Sequence, residues 1–484
     1  MLSNIKRSVR THYWWWVIAV VSFAFLTRIA WINQPAAYVF DEVYHAVTAK
    51  LIARNDPMAY EWWNEPVEPN TAVDWLHPPL AKYTQALGVL IFGETPLGWR
   101  ISAAVFGAGV VLLVVLLAKE LFASRSVSVL AGLLASLDGL LLTQSRIAMN
   151  DIHVTFFILL TLLLYTLFYK NRKKSEKNNY SGKLLLLTGI SAGLTLASKW
   201  SGLFVLFPLW LFEIGRFIMH SYQKLSYSGR LSWIASRVII LGLIPICVYV
   251  LSYSHMFWQG KSLFCFEEVN IQGTCYFERY YFGEKVIWEG YVSHFAELHK
   301  QIWWYQTHLE ATHSYQSRPW QWFTNMRPVW FYVGQNNGHT VNIYAQGNTM
   351  LFWIGAVSLA GVLSLLYRLW RATKKPLQTL GQLTTEGGAL LFILISYLVV
   401  WLPWQLSPRI MFFYHYTPAV PLLCILLAYI LIMQARKKKK KETLAVLLVL
   451  LITTNFVLFY PHWTGQPAPK WLQDNVYYLF EGWR

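Results

Sequence analysis

Long apolar runs separated by short polar and basic segments make up most of this chain. Runs of this kind are typical of helices that cross a bilayer, which takes about 20 residues per span. Eleven spans are predicted, and the shorter ones are expected to extend into their polar flanks. They cover residues 14–32, 101–117, 127–142, 154–169, 184–197, 203–218, 238–253, 350–366, 389–402, 412–433 and 444–460.

Composition agrees with this pattern: 55% of the 484 residues are hydrophobic, 17% are aromatic and only 13% are charged. The predicted fold class is therefore an all-α polytopic membrane protein, with juxtamembrane helices in its outer loops. The first span lacks a small-residue cleavage pattern, so we expect it to stay in the protein. Within the span at 184–197, the Gly189-x-x-x-Gly193 spacing favours close helix packing inside the monomer over a dimer contact.

The net charge of +17 could suggest nucleic acid, but the basic residues fall in short runs between apolar spans. More than half of the 41 Lys and Arg residues lie in alternate loops, among them the run 436–441, which suits a topology anchor on anionic lipid. By the positive-inside rule the N-terminus is cytoplasmic. Eleven spans then put the C-terminus outside, and loops 33–98 and 254–349 face outward. Nucleic-acid binding is disfavoured.

The first outer loop carries adjacent carboxylates, Asp41 and Glu42, close to the first span. Charge near hydrocarbon is expensive and is usually retained for function. In the second outer loop an amphipathic surface helix is predicted, because five apolar residues recur there at helical spacing: Phe295, Leu298, Ile302, Tyr305 and Leu309. Cys265 and Cys275 share this loop, and a local disulfide between them would require an oxidising compartment.

Several short motifs of this chain occur in the same order in the sequences of a known protein family. They are the first outer loop with Asp41-Glu42 and His77-Pro78-Pro79, the pair Trp99-Arg100, the run 137–146, Asn150-Asp151, Ser198-Lys199, Thr307-His308, Thr312-His313, Ser317-Arg318, Arg327-Pro328, Pro408-Arg409 and the run 413–419. The chain resembles the protein O-mannosyltransferases along nearly its whole length. The eukaryotic members carry a β-trefoil-like insertion that loop 254–349 is too short to hold, so the resemblance points to the bacterial form.

This resemblance implies a glycosyltransferase of GT-C architecture in a bacterial inner membrane. Such an enzyme moves mannose from a polyprenyl-phosphate carrier to Ser or Thr hydroxyls of secreted or membrane proteins. The division it implies is a transmembrane module at 1–253, an outer loop with surface helices at 254–349, and a four-helix region at 350–484. The expected partners are the lipid-linked sugar, the acceptor proteins and the bilayer, and no cofactor is expected.

The same resemblance assigns roles to residues. Asp41 is the expected base of an inverting transfer, because a hydroxyl is a poor nucleophile at neutral pH, and Glu42 is expected to orient an Arg or the acceptor. The departing phosphate needs cations to stabilise its charge. Lys199 and Arg409 are the leading candidates for this role, followed by Arg100, Arg146 and Lys82. Arg146 could instead pair with Asp151. Expected acceptor or sugar contacts are His77, His308, His313, His415 and Asp138, although Asp138 could simply pair with a cation between helices.

Two other functions remain open at this point. A related enzyme could move the sugar to a lipid or glycan, and a transporter or flippase would share the polytopic profile. Transporters tend to show internal repeats, and none is evident here. A catalytic metal is disfavoured because no His-Glu-x-x-His spacing occurs, and nucleotide-binding fingerprints are absent from the sequence.

Overall fold

The computed structural model describes residues 2–62, 66–172, 180–218, 226–259, 263–271, 274–281, 288–336, 338–373 and 382–483. Side chains of residues 2–6, 180, 263–271, 274–281, 288–294, 297 and 336 lie outside the described part. The prediction of a Cys265–Cys275 disulfide falls there.

Helices dominate the first half of the chain. In chain order they are α1 (Leu2–Thr11), α2 (Tyr13–Ile29), α3 (Glu42–Ala53), α4 (Leu80–Phe92), α5 (Pro96–Phe122), α6 (Arg125–Ser136), α7 (Gly139–Gln144), α8 (Asp151–Asn171), α9 (Tyr180–Ser198), α10 (Leu206–Arg216), α11 (Tyr227–Val238), α12 (Ile244–Ser252) and α13 (Ser254–Gln259). Short 3-10 turns cover Pro57–Tyr60 and Trp200–Val205, and the π-helical turn Ile239–Leu243 joins α11 to α12.

The second half adds two antiparallel hairpins to the helices. The first pairs β1 (Leu263–Ile271) with β2 (Thr274–Tyr281), and the second pairs β3 (Val329–Asn336) with β4 (His339–Ala345). The helices are α14 (Trp288–His308), α15 (Pro319–Trp322), α16 (Thr349–Ala372), α17 (Glu386–Trp401), α18 (Val420–Ala435), α19 (Lys439–Thr464) and α20 (Lys470–Leu472). 3-10 turns at Leu402–Leu406, Phe413–Ala419 and Glu481–Trp483 and a π-helical turn at Gln473–Tyr477 complete the described elements.

Each of the eleven apolar runs lies on helix. By length and hydropathy, eight described helices could cross a membrane, and Tyr13–Ile29, Leu80–Phe92 and Arg125–Ser136 are shorter apolar ones. The number that do cross stays a prediction. The run at 127–142 is not one helix, because Asp138 ends α6 and caps α7 by accepting a hydrogen bond from the Leu141 N–H at 2.8 Å. The mostly α-helical class is confirmed, with the two hairpins as an unpredicted addition.

α5 lies at the centre of the N-terminal half and contacts α2, α4, α6 and α8. Thr95 starts this helix by accepting a hydrogen bond from the Gly98 N–H, with Pro96 at the first helical position. Gly93, at φ 77°, ends α4 just before it. The resulting α4–α5 hairpin holds the first outer loop against the helical core.

Aromatic contacts link loops at one end of the fold, and hydrogen bonds link loops at the opposite end. At one end Phe40 stacks on Phe331 of β3 (centroids 4.3 Å apart) and Tyr344 of β4 stacks on His462 at the end of α19 (4.4 Å). At the other end Arg125 donates to the Arg10 carbonyl, and Arg436 donates to the Ser124 hydroxyl at 3.3 Å. The basic loops therefore share one end, and loop 33–98 shares the other with the second hairpin.

The predicted amphipathic helix in the second outer loop is α14. Its apolar face packs on the protein, since Leu298 and Ile302 are buried with Tyr249 and Tyr253 of α12 and the loop after it. Trp303 and Trp304 remain exposed. This helix forms one wall of the cavity described next.

Candidate active site

A cavity of about 1180 Å³ opens at the end of the fold that holds the first outer loop. Its walls come from segments far apart in sequence: the start of α3, residues 72–77, the start of α8, the α9–α10 connection, α14 and residues 403–415. More than half of its lining residues are aromatic or aliphatic, and the rest include carboxylates, cations, histidines and amides. This combination is typical of ligand sites.

Asp41 is held at the cavity wall by an unusual backbone. The preceding residue, Phe40, has φ 52°, in the left-handed region that a bulky residue rarely adopts. Its ring is fixed between Phe331, 4.3 Å away, and Tyr414, 5.7 Å away. Asp41 then starts α3, and its backbone carbonyl accepts from the Tyr44 and His45 N–H groups. Packing of Phe40 therefore sets the direction in which Asp41 projects.

The Asp41 carboxylate is free to act as a base. Within the described part of the chain it accepts no hydrogen bond and forms no ion pair, although it is mostly enclosed and lines the cavity. Burial raises the pKa of Asp41 to about 6; His45 and Lys199 oppose this rise, while Asp74 and Asp151 add to it. Asp41 is thus a stronger proton acceptor than an ordinary Asp and is still mostly ionised at neutral pH.

Glu42 has the opposite surroundings. It is fully buried and receives two hydrogen bonds from Arg100, at 2.8 and 2.7 Å, and two from the backbone N–H groups of Val39 and Ala148, both at 2.9 Å. Arg100 in turn donates to the carbonyls of Ile32, Pro35 and Ala37. Neither residue lines the cavity. The predicted contact of Glu42 with an Arg is present, and it ties α3 to α5.

Asp74 gathers three partners beside Asp41. His77 Nδ1 lies 3.0 Å from one carboxylate oxygen, while His45 Nδ1 at 2.7 Å and Lys82 Nζ at 3.2 Å lie near the other, although the His45 N–H is not aligned for a regular hydrogen bond. Burial alone would raise the pKa of Asp74, but Lys82, His77 and His45 outweigh it and hold that pKa well below its usual range. Lys82 also donates to two carbonyls and does not line the cavity.

The same group contains the one set of at least three potential metal ligands found among the described residues: His45, Asp74 and His77. Their ligand atoms lie within 4.8 Å of one another. However, the Lys82 ammonium already neutralises Asp74. A dication there would meet a buried like charge, so this donor set fits a metal poorly.

Two cations line the cavity among the described residues, Lys199 and Arg409. Lys199 Nζ lies 2.8 and 3.0 Å from the two oxygens of Asp151, which starts α8. Arg409 donates to the Gln306 side chain and lies 5.6 Å from the centre of the Tyr305 ring, with no carboxylate partner in the described chain. Its Nε is buried without an acceptor there. Arg409 is therefore the cavity cation with unused donor capacity.

The other predicted site residues divide into two groups. His77, His313 and His415 line the cavity. Arg146 does not, because it donates to the carbonyls of Thr27, Arg28, Ala30 and Trp31; it does not pair with Asp151, which binds Lys199. Asp138 is buried as the cap of α7 and also accepts from the Asn348 N–H at 3.0 Å. His308 is exposed and stacks on Trp304. The structure brings none of these last three to the cavity.

Several polar cavity residues were not assigned a role from sequence, and Asp74 and Asn150 are the most informative of them. Asp74 resembles an ordinary loop carboxylate in the sequence, and only the fold gives it three cationic or imidazole partners. Asn150 is 1% exposed and lines the cavity, yet both polar atoms of its amide lack a partner among the described residues. An unsatisfied buried amide is costly, so a bound polar ligand is its natural partner. The pair Asn150-Asp151 was visible as a motif, but its burial was not.

Two family models match the chain. Residues 18–259 match the model described as dolichyl-phosphate-mannose-protein mannosyltransferase, and residues 291–483 match the C-terminal four-helix region of protein O-mannosyltransferase. Among curated relatives, a polyprenol-phosphate-mannose–protein mannosyltransferase of Corynebacterium glutamicum is 28% identical over 86% of this chain and 81% of its own length. A protein of the same name from Mycolicibacterium smegmatis is 26% identical, covering 98% and 94%.

Solved structures show the same fold. The Saccharomyces cerevisiae protein O-mannosyltransferase Pmt1–Pmt2 complex bound to the sugar donor superposes with a TM-score of 0.76 at 16% identity, over 98% of this chain and 94% of that one. ArnT from Cupriavidus metallidurans bound to undecaprenyl phosphate gives 0.53 at 13% identity, over 92% and 70%. The GT-C architecture expected from the resemblance is confirmed.

Proposed function

This chain belongs to the dolichyl-phosphate-mannose-protein mannosyltransferase family, and we propose that it transfers mannose from a polyprenyl-phosphate donor to Ser or Thr hydroxyls of proteins. The observation that carries this is a cavity at the outer-loop end of a membrane fold, faced by Asp41, which has no side-chain partner among the described residues, and by Arg409, whose Nε has none there either. A sugar carried on a lipid phosphate needs those two kinds of group.

Asp41 is the base in this proposal. The acceptor hydroxyl oxygen attacks the anomeric carbon, its proton passes to Asp41, and the bond from that carbon to the phosphate oxygen breaks with its electron pair. Of the three carboxylates lining the cavity in the described chain, Asp74 and Asp151 are already bound to Lys82 and Lys199. Because the described residues offer the cavity no second free carboxylate to form a covalent intermediate, the displacement in this proposal is single and inverts the anomeric centre.

The leaving phosphate gains negative charge as the bond breaks, so it needs cations more than a proton donor. Arg409 supplies unused N–H groups, and Lys199 adds a point charge fixed by Asp151. Asn150 offers an amide that can both donate and accept, which suits sugar hydroxyls. His77, His313 and His415 line the remaining polar wall, where we assign sugar and acceptor contacts.

The lipid tail requires an apolar path into the bilayer. Leu203 and Phe204 on one side and Trp404 and Leu406 on the other line the cavity, and Leu203 and Leu406 are largely exposed at its rim. We assign this apolar rim, formed by the turns Trp200–Val205 and Leu402–Leu406, to the polyprenyl chain; the Phe204 and Trp404 rings of the two turns contact each other edge to face.

The orientation follows from charge. The basic loops share one end of the fold and the cavity lies at the other, so the positive-inside rule puts the cavity outside a bacterial inner membrane, with a cytoplasmic N-terminus and an extracytoplasmic C-terminus. We retain the division into a catalytic transmembrane module (1–253), an outer loop region (254–349) and a four-helix region (350–484).

Transfer can be measured directly. Purified full-length protein in nanodiscs, supplied with polyprenyl-phosphate-mannose and a Thr-containing peptide, is expected to give a glycopeptide detectable by mass spectrometry. Asp41→Asn is expected to lower the rate by about 10²–10⁴-fold, the usual range for loss of a general base. Asp474→Asn is the matched control, since this exposed carboxylate lies near the C-terminus away from the cavity.

Two results would contradict the proposal. One is an Asp41→Asn protein that transfers mannose as fast as the wild type. The other is a well-folded wild type that leaves every peptide unmodified but transfers the sugar to a membrane lipid or glycan, which would favour the related lipid-modifying activity.

A further inference from the structure

A second, polar groove adjoins the cavity on its outward side. It encloses about 500 Å³ and shares His313, Arg409 and Ile410 with the cavity wall. The two spaces are therefore adjacent, with these three residues in both linings. A chain that reaches Asp41 in the cavity would have the groove beside it.

Hydrogen bonds connect the two segments that form the walls of the groove. The Ser317 N–H donates to the Met411 carbonyl at 2.9 Å, which joins the segment before α15 to the segment that carries Arg409. The buried Trp322 side chain donates to the Ser317 hydroxyl, also at 2.9 Å. These bonds hold the groove open without a ligand.

The charge of the groove is strongly one-sided. Three guanidinium groups line it, those of Arg318, Arg327 and Arg409, and no carboxylate does among the described residues. None of the three lies within ion-pair distance of an acid in the part of the chain that the structure describes, and Arg318 and Arg327 are exposed. Arg is well suited to carboxylates because its planar fork binds both oxygens.

Resting on the function proposed above, we propose that this groove binds the acceptor polypeptide and selects carboxylate side chains within a few residues of the modified Ser or Thr. The apolar rim at Leu203 and Leu406 is assigned above to the lipid donor, and neither residue lines the groove, so the groove is left for the acceptor. An extended peptide advances about 3.3 Å per residue, so residues close to the hydroxyl would lie beside Arg318 and Arg327. Anionic phospholipid headgroups are the competing occupant.

The test compares matched peptides on the full-length enzyme. Each has a central Thr, with two Asp or two Asn residues placed on its N-terminal or its C-terminal side. For the wild type at low ionic strength, we expect one of the two Asp peptides, whichever places its acids beside the groove, to have a KM about 3–10-fold below that of the matching Asn peptide, with a similar kcat. The preference is expected to shrink as salt is added.

Arg318→Gln combined with Arg327→Gln is expected to raise KM for the Asp peptide to that of the Asn peptide, so that the double variant no longer distinguishes the two peptides. Lys470→Gln, an exposed cation outside the groove, is the control and should keep the preference. Equal KM values for Asp and Asn peptides in wild type would overturn the proposal. So would equal losses on both peptides that track the phosphatidylglycerol content of the nanodisc, since that result assigns the groove to lipid. Absence of transfer to any peptide by folded wild type would instead refute the proposed function.

Discussion

Asp41 and Glu42 are neighbours in sequence, but their carboxylates meet different surroundings. Glu42 receives four hydrogen bonds and lies inside the protein, whereas Asp41 receives none within the described chain and faces the cavity. The first arrangement suits an anchor and the second a base. Phe40 connects the two, because its left-handed backbone and stacked ring separate the directions in which the two side chains point.

The raised pKa of Asp41 gives a pH prediction. Only the ionised carboxylate can accept a proton, so kcat/KM for peptide mannosylation is expected to rise with pH, reach half its plateau near pH 6, and level off above pH 7. The charged groups that act on Asp41 are His45, Lys199, Asp74 and Asp151. His45→Gln removes a group that lowers the pKa of Asp41, so the half-point should move to higher pH. Initial rates across pH 4.5–8.5 check both outcomes.

Stability provides an independent check on the same residue. Because the pKa of Asp41 is higher in the folded chain than its ordinary value, ionising this carboxylate costs folded stability as pH rises through about 4 to 6. At pH 7.5 the Asp41→Asn protein should therefore melt at the same temperature as wild type or higher, despite its lost activity. If kcat/KM of the wild type instead reached half its plateau near pH 4, the carboxylate of Asp41 would not be desolvated.

At the scale of elements, hydropathy predicts helices well because a bilayer selects long apolar runs, and each run does lie on helix. It fails where a single polar residue decides the local structure. Asp138 interrupts the run at 127–142 by capping α7 through one carboxylate oxygen, and its other oxygen accepts from the N–H of Asn348, about two hundred residues away. α3 and the hairpin of β3 and β4 were missed since both are short and take their stability from tertiary packing.

The Gly189-x-x-x-Gly193 prediction can be tested at this scale, because both glycines face the helical run that contains α12. A Cβ on Gly189 would lie 2.1 Å from the Ile240 carbonyl oxygen, and one on Gly193 would lie 2.5 Å from Val248 Cβ. The expected intramolecular packing is thus present. Gly189→Ala is expected to destabilise the protein by about 1–3 kcal/mol through overpacking, measured as a lower melting temperature in detergent.

Gly242 is the matched control on the opposing helical run. No atom lies within 4 Å of a Cβ placed there, so Gly242→Ala should be neutral or stabilise the protein by up to about 1 kcal/mol. If Gly189→Ala changed the oligomeric state on size-exclusion chromatography without changing the melting temperature, the glycine pair would serve a dimer contact instead.

At the scale of the whole molecule, the site is assembled from segments separated by hundreds of residues. Local motifs marked Asp41, Lys199, Arg409 and three of the cavity histidines, His77, His313 and His415, but they could not show which groups meet. Asp74, whose partners come from α3, α4 and its own loop, carries no local signal of its importance. Arg100 and Arg146 resemble phosphate ligands in sequence, yet the fold uses both to satisfy backbone carbonyls.

The orientation in the membrane determines which substrates can reach this site. In the proposed reaction, the cavity must open on the extracytoplasmic side to bind the lipid-linked donor and the secreted acceptor. In a background with the four cysteines replaced, Lys470→Cys and Lys438→Cys report on the two ends of the fold, and both positions are exposed. A membrane-impermeant maleimide is expected to label Lys470→Cys in intact spheroplasts and Lys438→Cys only after permeabilisation, because Arg436 and the four other lysines of the run 437–441 favour the cytoplasm. The reverse pattern would put Asp41 in the cytosol, where secreted acceptors are out of reach, and the proposed reaction would have to be abandoned even with the cavity intact.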